Sequence, residues 1–207
     1  MRRALSRRIA SDPRFVVIDT AENGREGVDK AFRLVPDVVT LDVEMPVMDG
    51  IAALKEIVAR SDIPVVMLSA VTSAGAKITM EALEIGAVDF IPKANGAERV
   101  HETLLAAVMA NTRQKVRAQR AATPLQPQVV TRVAAAPKIA VKPKIVLIGS
   151  STGGPQALTE VIKQLPASLP VPVVVAQHMP AQFTLALAKR LNDMCPIRVV
   201  EAKDGDS

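Results

Sequence analysis

The chain has 207 residues, enough for one large domain or for one complete domain and part of a second. Hydrophobic residues make up 49% and charged residues 23%, a globular balance that excludes disorder throughout, and no apolar run approaches the ~20 residues of a membrane span. A single Cys excludes a disulfide framework and a Cys-based zinc site, the Arg-rich start lacks the apolar core of a secretory signal, and the expected compartment is the cytoplasm.

The net charge of +5 is unevenly placed. Between Thr103 and Thr159 there is no acidic residue and there are eight basic ones, so the rest of the chain carries a net −3. A basic linker can graze anionic surfaces without specificity. With no Trp, no Tyr and four Phe, stacking platforms for single strands are missing, and no specific nucleic-acid partner is expected.

In chain order, Arg2–Ile9 reads as a helix, Phe15–Asp19 as a strand and Gly24–Leu34 as a helix. Asp37–Asp42 is a strand, Ile51–Ala59 a helix, Pro64–Ser69 a strand, Ala76–Ile85 a helix, Ala87–Ile91 a strand and Ala97–Ala110 a helix. Apolar strands alternating with helices predict an α/β fold with a parallel sheet covered on both faces. Residues 111–143 hold Pro124, Pro127 and Pro137 among Ala and Gln, and read as the end of a helix running into a basic linker. Strand Lys144–Gly149, helix Pro155–Leu165, strand Val171–Gln177, helix Ala181–Met194 and strand Ile197–Glu201 follow as part of a second parallel α/β unit over 144–207.

Asp42, Ser69 and Lys93 each fall at or just past the end of a predicted strand. A parallel sheet brings all three to its carboxyl edge, where ligands bind. A carboxylate, a hydroxyl and an ammonium together suit phosphorylation of the carboxylate: Asp42 attacks phosphorus, Lys93 pairs with the phosphoryl oxygens and Ser69 senses them. The plain alternative is that strand ends are polar, and three such residues on successive strands argue against it. The segments LDVEMPVMDG, VVMLSA and GAVDFIPK around these residues resemble the receiver domain of bacterial response regulators, over residues 1–110. The resemblance implies a flavodoxin-like fold, phosphotransfer from a histidine kinase to Asp42, and Mg2+ held in part by Asp42. The family's acidic pair follows its first strand, and neither that strand nor the pair occurs in this sequence. In the order 2-1-3-4-5 the missing strand would leave Phe15–Asp19 and Asp37–Asp42 flanking a gap. Ala94 stands where the family usually has Pro.

Gly149-Ser150-Ser151-Thr152-Gly153 fits G-x-S-x-G between a predicted strand and a helix. Such a turn exposes the Ser hydroxyl, and the N–H of the following residue, Thr152, can stabilise an oxyanion. A Gly-rich turn or anion nest is the other reading. His178, just past the next strand, reaches the same edge and is a candidate general base. His101 reads as structural and Cys195 as a packing residue. The segments KIVLIGSSTGGPQAL and VVVAQHMPAQFTLALAKRLN resemble the catalytic domain of the chemotaxis protein-glutamate methylesterases, and the receiver–linker–esterase order matches too. The resemblance puts Ser151 at the nucleophile position and His178 at the base position. It implies hydrolysis of glutamyl methyl esters, and deamidation of particular glutamines, on chemoreceptors. The esterase itself needs no cofactor. The family's catalytic Asp lies in G-M-G-x-D-G, which does not occur here, so no catalytic acid is assigned and these 207 residues alone are expected to be inactive. Two rivals differ in class. A transcription factor would need a helix-turn-helix after the linker; a non-catalytic phosphorylation-responsive module would keep the receiver and lose turnover.

Overall fold

A computed structural model describes residues 2–70, 72–94, 98–122 and 143–206. The elements are α1 (Arg2–Ala10), α2 (Gly24–Leu34), β1 (Val39–Asp42), α3 (Gly50–Arg60), β2 (Val65–Ser69), α4 (Ser73–Ile85), β3 (Asp89–Pro92), α5 (Val100–Ala122), β4 (Val146–Ser150), α6 (Gly154–Lys163), β5 (Val173–Gln177) and α7 (Ala181–Met194).

Side-chain caps fix several helix starts. Asn23 Oδ1 accepts from Glu26 N at 2.9 Å, Asp49 Oδ1 from Ala52 N at 2.7 Å, and Thr72 Oγ1 from Gly75 N at 2.9 Å. Strands β1, β2 and β3 form one parallel sheet with β2 central, and all five β2 residues are buried. That is why VVML is an unbroken apolar run rather than an alternating one. Strands β4 and β5 form a second parallel pair, Val146 opposite Val173 through Ser150 opposite Gln177.

The two sheets share one core. Phe183, Leu187 and Leu191 of α7 and Leu158 and Ile162 of α6 belong to the same buried cluster as Leu54, Met67, Leu83 and Phe90. Polar contacts reinforce the junction. Gln156 Nε2 donates to Ala87 O at 2.9 Å, and Arg190 Nε lies 3.0 Å from Glu84 Oε1.

Three expectations change. Phe15–Asp19 joins no sheet: β1 pairs only with β2, and Val16 and Ile18 are exposed. An extended segment beside β1 needs an intervening partner to donate and accept its ladder bonds, and none is present among the described residues. Ile197–Glu201 likewise forms no ladder, although Ile197 and Val199 pack on the core and Val199 N bonds Asn192 Oδ1 at 3.0 Å. Helix α5 continues to Ala122, into the segment read as linker. Residues 123–142 of that linker, with Pro124, Pro127 and Pro137, lie outside the described residues.

Candidate functional site

The register of the first sheet decides what meets at its carboxyl edge. Asp42 sits opposite Leu68, and Ser69 opposite Pro92, so Asp42, Ser69 and Lys93 all emerge there. Lys93 Nζ lies 2.7 Å from Asp42 Oδ1, with both side chains about a quarter exposed. The same oxygen accepts from Glu44 N at 3.1 Å. Gly50 keeps this edge tight. A Cβ there would come within 2.0 Å of Asp42 O, so any side chain would push α3 off the carboxylate loop.

Ser69 is placed at the edge but its hydroxyl turns toward α4. Its Oγ is fully buried, 2.5 Å from Thr79 Oγ1, and contacts Ala70 O and Gly75 O at 3.3 and 3.4 Å. Thr79 was invisible to sequence reasoning: it is one buried Thr among the apolar residues of a helix. Receiver phosphorylation uses a divalent cation, but among the described residues no group of three His, Cys, Asp or Glu could hold one. Asp42 is paired to Lys93 at this edge, with Glu44 Oε2 3.9 Å from the same Nζ, so the described residues do not make a magnesium site by themselves.

The second site stands on the β4–β5 pair. His178 N donates to Ser150 O at 2.8 Å, extending the ladder by one step. Ser151 and His178 therefore leave adjacent parallel strands at the same edge, and Ser151 Oγ lies 3.4 Å from His178 Nδ1. Gln177 ties the two strand ends together, accepting from Ser150 Oγ at 2.6 Å and donating to Ser151 O at 2.9 Å. Thr152 follows in the turn, and Gly153 adopts φ +73, a left-handed conformation that opens α6. Ser151 and Thr152 thus lie in the turn between β4 and α6.

Residues of the first sheet close over this edge, which sequence reasoning did not find. Asp89, at the start of β3, bonds the Thr152 side chain and the Gly153 N–H, and its Oδ1 accepts from Phe90 N at 2.8 Å. Burial pushes its carboxyl above the ordinary value, against those hydrogen bonds and the nearby Arg99. Arg99 Nη2 lies 3.3 Å from His178 Nδ1. A guanidinium has only donors, so Nδ1 is the accepting, unprotonated nitrogen of the ring. Asp89, Phe90, Pro92 and Arg99 meet Gln177 and His178 around a remnant cavity of about 10 Å³, room for a single water at most.

The remaining residues read from sequence have local roles. His101 Nε2 donates to Arg8 O at 2.7 Å and its ring stacks on Phe15. Cys195 packs against the core, where burial raises its thiol pKa. Among the described residues no helix is long and apolar enough to cross a membrane.

A parallel sheet presenting a paired carboxylate and ammonium at its carboxyl edge has the arrangement of a receiver, and it packs on a second strand–turn–helix unit that brings a Ser and a His together. The response regulator receiver domain model matches residues 1–105, half of the chain, and the chain belongs to that family. The CheB methylesterase model matches residues 146–207. A protein-glutamate methylesterase/protein-glutamine glutaminase of Vibrio cholerae is 42% identical over 99% of this chain, and one of Bacillus subtilis is 43% identical over all of it. The chain spans 63% and 61% of those two relatives. The receiver domain of Thermotoga maritima CheB is 40% identical, with a TM-score of 0.43 over 57% of this chain and 87% of that one.

Proposed function

We propose that the chain belongs to a phosphorylation-gated serine hydrolase that demethylates glutamyl methyl esters, and deamidates particular glutamines, on bacterial chemoreceptors. The observation that carries this reading is the 3.4 Å approach of Ser151 Oγ to His178 Nδ1 at one strand edge. The relatives of Vibrio cholerae and Bacillus subtilis are named protein-glutamate methylesterase/protein-glutamine glutaminase, which supports the reading.

The chemistry follows from the residues. Ser151 attacks the ester carbonyl while His178 Nδ1 takes its proton. The Thr152 N–H helps hold the oxyanion. The protonated imidazole then returns its proton to the leaving methoxide, methanol departs, and water hydrolyses the glutamyl-enzyme by the same proton route. Deamidation runs identically with ammonia leaving.

The receiver supplies the gate. A histidine kinase donates the phosphoryl group to Asp42, which attacks phosphorus through a carboxylate oxygen. Lys93, already 2.7 Å from that carboxylate, transfers its pairing to the phosphoryl oxygens. Ser69 turns from Thr79 and donates its hydroxyl hydrogen to a phosphoryl oxygen. Asp42 would be one ligand of the divalent cation that this transfer uses. Phosphorylation then weakens the docking of Asp89, Phe90 and Arg99 over the Ser–His edge.

Methanol release from methylated receptor tests the reading, in a chain extended to the length of its relatives. Release should rise on phosphorylation and vanish in Ser151→Ala. Undiminished release from Ser151→Ala would overturn it.

A further inference from the structure

One contact at the Ser–His edge belongs neither to the hydrolase chemistry nor to the phosphoacceptor. Arg99 comes from the connection between β3 and α5, seventy-nine positions from His178, and reaches His178 Nδ1 at 3.3 Å. Ser151 Oγ approaches the same nitrogen at 3.4 Å. Nδ1 carries one lone pair, and a nucleophile needs that lone pair to receive its proton. The Arg99 side chain is half-buried. Its Nε is buried with no hydrogen-bond partner, and Asp89 feels its charge from β3.

We infer that Arg99 is a chemical lock on the general base, donating a charge-assisted hydrogen bond into the His178 lone pair and thereby withholding it from Ser151 while the receiver is docked. This goes beyond steric covering of the site: a receiver shifted by about one hydrogen-bond length would free the base before the edge is open to a protein substrate. Arg99 lies six residues after Lys93 in the sequence. The inference rests on the hydrolase reading for its purpose, but the contact itself does not.

Diethyl pyrocarbonate tests it on this chain without any esterase assay. The reagent acylates the unprotonated ring nitrogen of histidine, forming an N–carbethoxy group and releasing ethanol and carbon dioxide. With Arg99 in place that nitrogen is Nδ1 and is occupied, so His178 should react slowly. His101 is the chain's other histidine and the internal control. In Arg99→Ala, carbethoxylation of His178, followed by peptide mass spectrometry, should rise by roughly tenfold, the factor one hydrogen bond is worth, with His101 unchanged. Should Arg99→Ala loosen the whole chain, both histidines will speed up. Arg99→Met, which keeps the packing stem and removes every donor, then decides: selective acceleration of His178 supports the lock. An unchanged His178 rate in either folded variant, or equal acceleration of both histidines in Arg99→Met, overturns it. Loss of the hydrolase reading would be seen separately, as methanol release that survives Ser151→Ala.

Discussion

The rings of Phe90 and Phe183 meet with centroids 4.4 Å apart, one from a receiver strand and the other from the second unit's last described helix. Phe183 is fully buried, and the cluster around it draws residues from both sheets. The halves are therefore predicted to melt as one body.

Phe183→Ala should cost about 3–5 kcal/mol, the usual range for a fully buried Phe. That is a large share of the 5–15 kcal/mol that holds a typical domain. Urea unfolding, with amide exchange read separately in β2 and β5, checks it. Protection should fall in both strands; loss confined to β5 would mean that the junction contributes little.

In a chain extended to the length of its relatives, Asp42→Asn should abolish phosphate incorporation from a histidine kinase, because an amide is not a phosphoacceptor nucleophile. Its effect on folding should be small. The pair it breaks with Lys93 is about a quarter exposed on both sides, and such pairs are worth at most about 1 kcal/mol. Radiolabelled phosphotransfer beside a thermal melt separates the two effects. Equal labelling of the Asn variant would remove Asp42 from the acceptor role.

Asp89 gives the docked structure a pH dependence of definite sign. Burial raises its carboxyl above the ordinary 3.8, so the folded, docked state prefers the protonated form. The stabilising contribution is full below the ordinary value and is lost as pH rises through the raised one. Asp89→Asn keeps an acceptor for Thr152 and Gly153 without the charge. Its melting temperature relative to the parent should climb as pH rises from acid toward neutral. Parallel curves for the two proteins would contradict the assignment.

The carboxyl-edge residues were legible because they depend on local pattern alone. An apolar run ending in Asp42, or in Gly149 before Ser151, states both the strand and where its last side chain emerges. What pattern could not supply was partnership. Phe15–Asp19 and Ile197–Glu201 carry strand-like sequences yet form no ladder, because a strand exists only beside another. Helix α5 overran its predicted end because Gln, Lys, Arg and Ala after Asn111 are good helix formers, while their charge had suggested a linker. Asp89 and Arg99 were missed for a different reason. Their roles arise only when two sheets dock, and no local signal marks a residue for a contact so distant in sequence.

The Ser151–His178 pair is the centre of the account, and a double-mutant comparison of methanol release in a chain extended to the length of its relatives tests it most directly. Groups that act as one unit are strongly non-additive. Ser151→Ala and His178→Ala should each abolish release of methanol from methylated receptor, and the double variant should be little worse than either alone. Independent losses that multiply in the double variant would show that the two residues, although 3.4 Å apart, do not work as nucleophile and base.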